Sequence, residues 1–253
     1  MKKTLQILCV IVFATLIYSC TAGLKQDNPP PSLKPASFDY KPPTEGITKS
    51  NDITFAILNP HYVESFTERN VDPYKIFADN MGKDFVEMLT ARGYSYKGPF
   101  SNVDQMVYNE KKTTDLLIEP EIDLQFTGNY LMQKKGIKLL SLESGSIEYY
   151  ADGDMTVSGK LNLIFSEPFT KTKIWVKSIQ IEPVTFKLKS YYSYYTPNIP
   201  VNDPLVWNTM VDNLMVIYNN TLSTAWKHLE PEELSQKKDE ANEIKKNSGF
   251  LKN

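Results

Sequence analysis

Leu116-Leu117-Ile118-Glu119-Pro120-Glu121-Ile122-Asp123-Leu124-Gln125-Phe126 is the stretch that decides the architecture. Leu116, Ile118, Ile122, Leu124 and Phe126 fall on one side of an extended chain, and Leu117, Glu119, Glu121, Asp123 and Gln125 on the other. That period of two predicts a long strand with one covered and one wet face. Met155, Val157, Leu161, Leu163 and Phe165 repeat the pattern. Ile174 and Val176 begin a third strand, but Ile179 and Ile181 carry it on with opposite parity, which predicts a bulge near Lys177-Ser178. Phe186 and Leu188 extend that strand beyond Pro183. Long amphipathic strands of this kind form an antiparallel sheet with one face covered.

Upstream, Ile53 to Leu58 is a short apolar run that ends at Asn59-Pro60 and reads as a buried strand. Asp72-Pro73 has the form of a helix start, an acid at the N-cap and proline at the first helical position. Ile76, Phe77, Met81, Phe85, Met88 and Leu89 then recur at helical spacing until Gly93. With Tyr94-Ser95-Tyr96 as a second strand, residues 53–97 form a β-α-β unit whose strands pair in parallel. Gly98-Pro99 reads as a turn, and Asn102 to Lys111 as one short helix. Downstream, Asp203-Pro204 starts a second strong helix, whose stripe includes Trp207, Met210, Leu214, Ile217, Tyr218, Leu222 and Ala225. After Pro231 the chain is highly charged and predicts a solvated helix. The expected fold class is therefore α+β: a β-α-β start followed by long antiparallel strands, with the sheet covered by two amphipathic helices.

The N-terminus is of a different kind. Lys2 and Lys3 precede an apolar run from Leu5 to Ile17, and Tyr18-Ser19-Cys20 follows. That run is shorter than the roughly 20 residues needed to cross a bilayer, so it reads as a secretory signal peptide. Ile17-Tyr18-Ser19-Cys20 resembles the bacterial lipobox, which implies cleavage before Cys20 and acylation of its thiol. Thr21 to about Thr44 is Pro-rich and reads as a semi-rigid tether. The expected organisation is a signal at 1–19, a lipidated tether at 20–45, an α+β domain at 46–230 and a charged tail at 231–253.

Composition narrows the function classes. Cys9 leaves with the signal, so the mature chain forms no internal disulfide and no cysteine metal site. Loss of Lys2 and Lys3 leaves 26 basic against 30 acidic residues, which excludes the basic footprint of a nucleic-acid binder. Arg69 and Arg92 are the only arginines. His61 and His228 sit in no metal-ligand spacing, and no nucleophile elbow, phosphate loop or dinucleotide fingerprint is present. Glu119, Glu121 and Asp123 read as the wet side of a strand, and Asp152-Gly153-Asp154 as a hairpin turn. Tyr191, Tyr192, Tyr194 and Tyr195 form a cluster suited to recognition, because tyrosine joins a flat apolar ring to a hydroxyl.

Cys20, the opening strand Ile53 to Pro60, the helix running into Arg92-Gly93-Tyr94, the alternating strand at Leu116 to Gln125, the strands from Gly159 to Ile181 and the long helix with its Lys/Glu-rich tail together resemble the neuraminyllactose-binding hemagglutinin family. These are lipoproteins of the flagellar sheath regarded as adhesins. The resemblance implies an outer-membrane, lipid-anchored, non-catalytic binding module with sialylated glycan as ligand and no cofactor or metal. It implies ligand contacts from the basic stretch Gln133-Lys134-Lys135-Gly136-Ile137-Lys138, through Lys134, Lys135 and Lys138. The family's basic segment contains Lys-Arg, whereas this one has lysine only, a point charge in place of a bidentate guanidinium. The expected partners are membrane lipid through acylated Cys20, together with a glycan or an envelope protein. The alternative function is a periplasm-facing accessory lipoprotein that binds an envelope partner through the C-terminal helix.

Overall fold

A computed structural model describes residues 32–43, 51–128, 131–136, 147–192 and 203–250; at 131–136, 147–151 and 190–192 it describes the backbone alone. Its strands are β1 (Thr54–Leu58), β2 (His61–Tyr62), β3 (Ser95–Phe100), β4 (Leu116–Gly128), β5 (Leu131–Gly136), β6 (Ile147–Ser166) and β7 (Lys173–Tyr192). Its helices are α1 (Tyr74–Ala91), α2 (Tyr108–Lys112), α3 (Pro204–Lys227) and α4 (Pro231–Asn247), with a 3-10 turn at Val103–Gln105. No helix among the described residues is long and apolar enough to cross a membrane.

All seven strands join one sheet. β1 lies parallel to both β3 and β4, so the predicted β-α-β unit is present, with α1 as its crossover. β2 extends the β1 edge along β4, His61 opposite Glu121. β4, β6 and β7 are antiparallel, and β5 pairs with β6 beyond the end of β4. β6 therefore has two halves: Met155 to Ser166 lies between β4 and β7, and Ile147 to Asp152 lies between β5 and β7.

The period-two reading of β4 holds on its apolar side, where Leu116, Ile118, Ile122 and Leu124 are buried. The other face is not all wet. Leu117 is buried with Ala56, Leu58, Val103 and Met106 in a second small core. The segment predicted as one helix from Asn102 to Lys111 instead forms the 3-10 turn and α2, and its turn supplies Val103 to that core.

The bulge in β7 is displaced from its predicted place. Val157 pairs with Val184 and Gly159 with Ile181, so the extra residue falls at Glu182-Pro183 rather than at Lys177-Ser178. Pro183 has no N–H to donate, which suits a position where the ladder is interrupted. Ile179 and Ile181 before the bulge, and Phe186 and Leu188 after it, all face the core, whereas Val176 points outward. Gly159 meets this irregularity from β6 with φ +147°, and a Cβ there would lie 1.9 Å from the Asp123 carbonyl oxygen. Asp152-Gly153-Asp154 makes no hairpin turn: β6 runs straight through it, with Gly153 opposite Leu188. Gly98-Pro99 likewise stays within β3, as an irregularity in its register with β1.

α1 and α3 cover the main face, contributing Phe77, Met81, Phe85, Met88, Val206, Met210, Leu214, Tyr218 and Leu222 to one core with the sheet. α3 begins as the sequence predicts, with the Asp203 carboxylate accepting from the N–H of Leu205 at 2.8 Å. α1 does not. It begins one residue later, capped by Pro73 without a side-chain bond, because the Val71 carbonyl already accepts from Tyr74 and Lys75 N–H.

Two segments read as solvated belong to the body. α4 buries Leu234 and Ala241 in the main core. Its Lys245 is 2% exposed, and the ammonium donates to the carbonyl oxygens of Lys111, Lys112 and Thr114, which binds α4 to the C-terminal end of α2. The last part of the Pro-rich stretch, residues 33–43, docks along α1 and α3 as a strap. Phe38 is buried, its ring centroid 5.2 Å from that of Phe77 and 5.4 Å from that of Tyr218. Asn80 Nδ2 donates to the Phe38 carbonyl at 2.9 Å. The buried Asp84 carboxylate accepts from Tyr40 N–H at 2.7 Å and from Tyr218 O–H at 2.6 Å. Two rings set among Pro and Lys give no helical or strand period, so their burial is set by the groove that α1 and α3 leave.

Candidate functional site

The register brings two candidate stretches together. In β5, Lys134 lies opposite Tyr149 of β6, which lies opposite Tyr192 of β7. One step along, Gln133 lies opposite Tyr150 and Tyr150 opposite Tyr191, and one step the other way Lys135 lies opposite Glu148. The basic stretch and the tyrosine cluster, far apart in sequence, meet across three adjacent strands. Lys138, Tyr194, Tyr195 and Cys20 lie outside the described residues. Tyr149 and Tyr150 were not singled out in the sequence, although a pair of adjacent tyrosines on a strand between two other candidate strands was a usable signal.

Alternation assigns faces to these rows. Met155 and Val157 of β6 are buried under the helices, so Tyr149, with Lys134 and Tyr192 opposite, continues the helix-side face. Met132, Ile147 and Ala151 share that parity. Gln133, Lys135, Glu148, Tyr150 and Tyr191 continue the outer face. By register, the residues of the two parities differ: Met132, Lys134, Ile147, Tyr149, Ala151 and Tyr192 on one, Gln133, Lys135, Glu148, Tyr150 and Tyr191 on the other.

Asn220 and Thr221 of α3 lie against Ile181 and Glu182 of β7. The strap meets the first turns of α3. Lys34 N–H donates to Asn208 Oδ1 at 2.7 Å, and Trp207 Nε1 donates to the Lys34 carbonyl at 2.6 Å.

The two arginines are elsewhere. The Arg92 guanidinium lies 3.8 Å over the Trp226 ring, donates to the Trp226 carbonyl and forms a forked pair with Glu230 at 2.6 and 3.1 Å. It clamps the end of α1 to the end of α3. Arg69 lines a cleft of about 630 Å³ with His61, Tyr62, Asn70, Lys75 and Glu121. Lys75 is held by Asp79, and His61 Nε2 lies 4.0 Å from Glu119. Arg69 and His61 give this cleft an anion-binding aspect, which Glu121 and Asp79 offset.

The acidic row of β4 is tied into the sheet. Glu121 Oε1 accepts from Asn162 Nδ2 at 2.8 Å, and Asn162 Oδ1 accepts from Ser178 O–H at 2.7 Å, a polar ladder across β4, β6 and β7. The carboxylates of Asp39, Asp84 and Glu87 come within 4.8 Å of one another. Lys41 bridges Asp39 and Glu87, and Asp84 is committed to Tyr40 and Tyr218. Burial pushes the Asp84 carboxyl above its usual range, against the lowering effect of those two hydrogen bonds.

No family model and no curated protein sequence matches the chain. Among solved structures it is similar to a neuraminyllactose-binding hemagglutinin homologue from Helicobacter pylori, with a TM-score of 0.52 and 13% identity over 81% of this chain and 98% of that one. It also aligns with a protein from Xanthomonas campestris at a TM-score of 0.34 and 8% identity, covering 79% of this chain and 97% of that one. A lipoprotein from Neisseria meningitidis aligns at 0.23 and 8%, covering 68% and 99%. The first of these likenesses is one of fold: this chain has the same α+β architecture as the hemagglutinin homologue.

Proposed function

We propose that this chain is a lipid-anchored protein of the cell envelope, tethered in the outer membrane through acylated Cys20, and that it acts as a non-catalytic, adhesin-like binding module. The anchor rests on the signal sequence and the lipobox-like Ile17 to Cys20. The binding role rests on one observation, the register that aligns Lys134 and Lys135 with Tyr149, Tyr150, Tyr191 and Tyr192 across three strands. The outer row Gln133, Tyr150 and Tyr191, with Lys135 beside it, offers ring faces, an amide and a cation, the groups that stack on a sugar and bond its hydroxyl and carboxylate groups. The similar fold of the hemagglutinin homologue supports this reading.

Protease added to whole cells should shave the domain off, and binding to sialylated glycans on an array should fall when Lys134, Lys135 and Lys138 are changed together to Gln. Unchanged glycan binding in that triple variant rejects the assigned surface. Protection of the domain in intact cells instead favours a periplasm-facing accessory protein that meets its partner through α4. Truncation at Pro231 does not test this alternative, because Leu234 and Ala241 belong to the core. Charge reversal at the exposed Glu233, Asp239 and Glu243 does, by loss of a crosslinked partner.

A further inference from the structure

Val107 and Tyr108 at the start of α2 and Phe250 just past the end of α4 are large apolar side chains left 61%, 57% and 44% exposed, and we infer that they anchor an acidic segment of another protein. Three stretches distant in sequence meet here. Phe169, in the turn between β6 and β7, stacks on Phe250 with ring centroids 4.8 Å apart and planes 10° from parallel, and its ring lies 5.3 Å from that of Tyr108. Tyr108 O–H donates to the Phe250 carbonyl at 2.8 Å. Apolar side chains exposed singly are ordinary, whereas a contiguous group of them marks an interaction surface.

The rings are held in place by the fold around them. Lys245 fixes the end of α4 against the carbonyl oxygens of Lys111, Lys112 and Thr114, and Gly249, at φ +79°, turns the chain just beyond it. Lys171 Nζ ties the β6–β7 turn to Asp104 of the 3-10 turn at 2.9 Å. The buried Glu167 carboxylate accepts from the N–H groups of Phe169 and Thr170, which sets the backbone that carries the Phe169 ring. Aromatic groups held this way lose little rotamer freedom when a partner docks, and such residues carry most of the binding energy of protein interfaces.

The surround is basic. Lys111 and Lys112 stand one helical turn beyond Tyr108, Lys173 opens β7 just after the turn that holds Phe169, and Lys246 lies in the last turn of α4. Among the described residues none of these four is in an ion pair. The acids nearest to them in the chain are mostly engaged: Asp104 by Lys171, Glu110 by the Val107 N–H at 2.9 Å, and Glu167 by its own turn. Glu243, exposed and three residues before Lys246, offsets one cation and leaves the balance positive. The whole chain has 28 basic and 30 acidic residues, so this excess is local and calls for an acidic partner. An anionic bilayer is the other claimant for aromatic rings beside lysines. At a bilayer, however, tyrosine keeps its hydroxyl among the headgroups, and Tyr108 has committed its hydroxyl to the Phe250 carbonyl. That favours a protein segment over lipid.

The patch belongs to the folded body, and neither the lipid anchor nor the glycan-binding row enters the claim. The chain from residue 20 onward, carrying Cys20→Ala, is panned against a displayed library of random peptides. Enriched peptides should be acidic with an aromatic or branched apolar residue, and a synthetic copy should bind in fluorescence anisotropy with an affinity that falls as salt is raised. Phe250→Ser should weaken that binding by about tenfold or more, and Lys111→Gln with Lys112→Gln by roughly threefold, with a flatter salt dependence. Lys83→Gln with Lys187→Gln, which removes the same charge from exposed positions elsewhere, should leave it unchanged. Phe250 and these lysines lie outside the main core, and the lysine changes touch no packing, so thermal unfolding should match the natural chain. Enrichment of neutral or basic peptides, or of none, overturns the inference, as does equal binding to Phe250→Ser. Flotation on phosphatidylglycerol vesicles that Phe250→Ser abolishes overturns it in favour of lipid, and self-association abolished by the same variant overturns it in favour of a second copy.

Discussion

The two halves of β6 are one strand with two duties. From Met155 to Phe165 its helix-side residues are buried, paired with β4 and β7 and roofed by α1 and α3. From Ile147 to Asp152 the same strand, on the same parity, carries tyrosine and alanine and pairs with β5 and β7. Apart from its register shifts, the pairing with β7 runs on from one half into the other, so the difference lies in the residues the strand carries. Where α1 and α3 cover the face, volume decides the residue.

That contrast can be broken first in the covered half. Phe165→Ala removes a ring that is 0% exposed and stacks on Trp175, and should cost about 4 kcal/mol in denaturant-induced unfolding. A loss below about 1 kcal/mol would mean that this half is not the core. Phe38→Ala should cost about 3 kcal/mol and make the chain between Leu33 and Lys41 the first site of limited proteolysis, since one ring holds the strap between Phe77 and Tyr218.

Asp84→Asn sharpens the picture of the strap through pH. Burial raises the Asp84 carboxyl in the folded protein, so its contribution to stability is fully present below the ordinary carboxylate range and is lost as pH rises through the raised value. Thermal unfolding should therefore show the natural chain gaining on Asp84→Asn as the pH is lowered from 8 toward 4. A gap that shrinks on acidification would reverse the assignment. The smallest effect belongs to the half that pairs with β5: Tyr150→Thr with Tyr191→Thr should change stability by less than about 0.5 kcal/mol while reducing glycan binding.

Much of the fold was legible where a single period runs uninterrupted. β4 and the second half of β6 announce themselves by alternation, α1 and α3 by helical stripes, and the parallel pairing of β1 and β3 by the helix between them. Misreadings cluster where a local signal was outvoted. Asp152-Gly153-Asp154 has turn chemistry, yet neighbours on both sides hold it in a ladder. Asp72-Pro73 has the form of a cap, yet the Val71 carbonyl had taken that role. Lys245 reads as a solvent lysine, yet three carbonyl oxygens at the end of α2 make its burial tolerable. For the candidate surface, each lysine and tyrosine stretch was visible alone, but their alignment depends on strand register.

The sequence by itself determined the elements and their faces, because alternation and helical spacing are local consequences of backbone geometry. It also carries the stretch that reads as a signal and the lipobox-like Ile17 to Cys20, a reading that needs no folded partner. Only the tertiary structure decided that residues 33–43 and α4 dock, that the β7 bulge falls at Glu182-Pro183, and that Lys134, Tyr149 and Tyr192 share a row. Each of these depends on partners distant in the chain, whose cavities and hydrogen-bonding groups exist only once the sheet and its helices have come together.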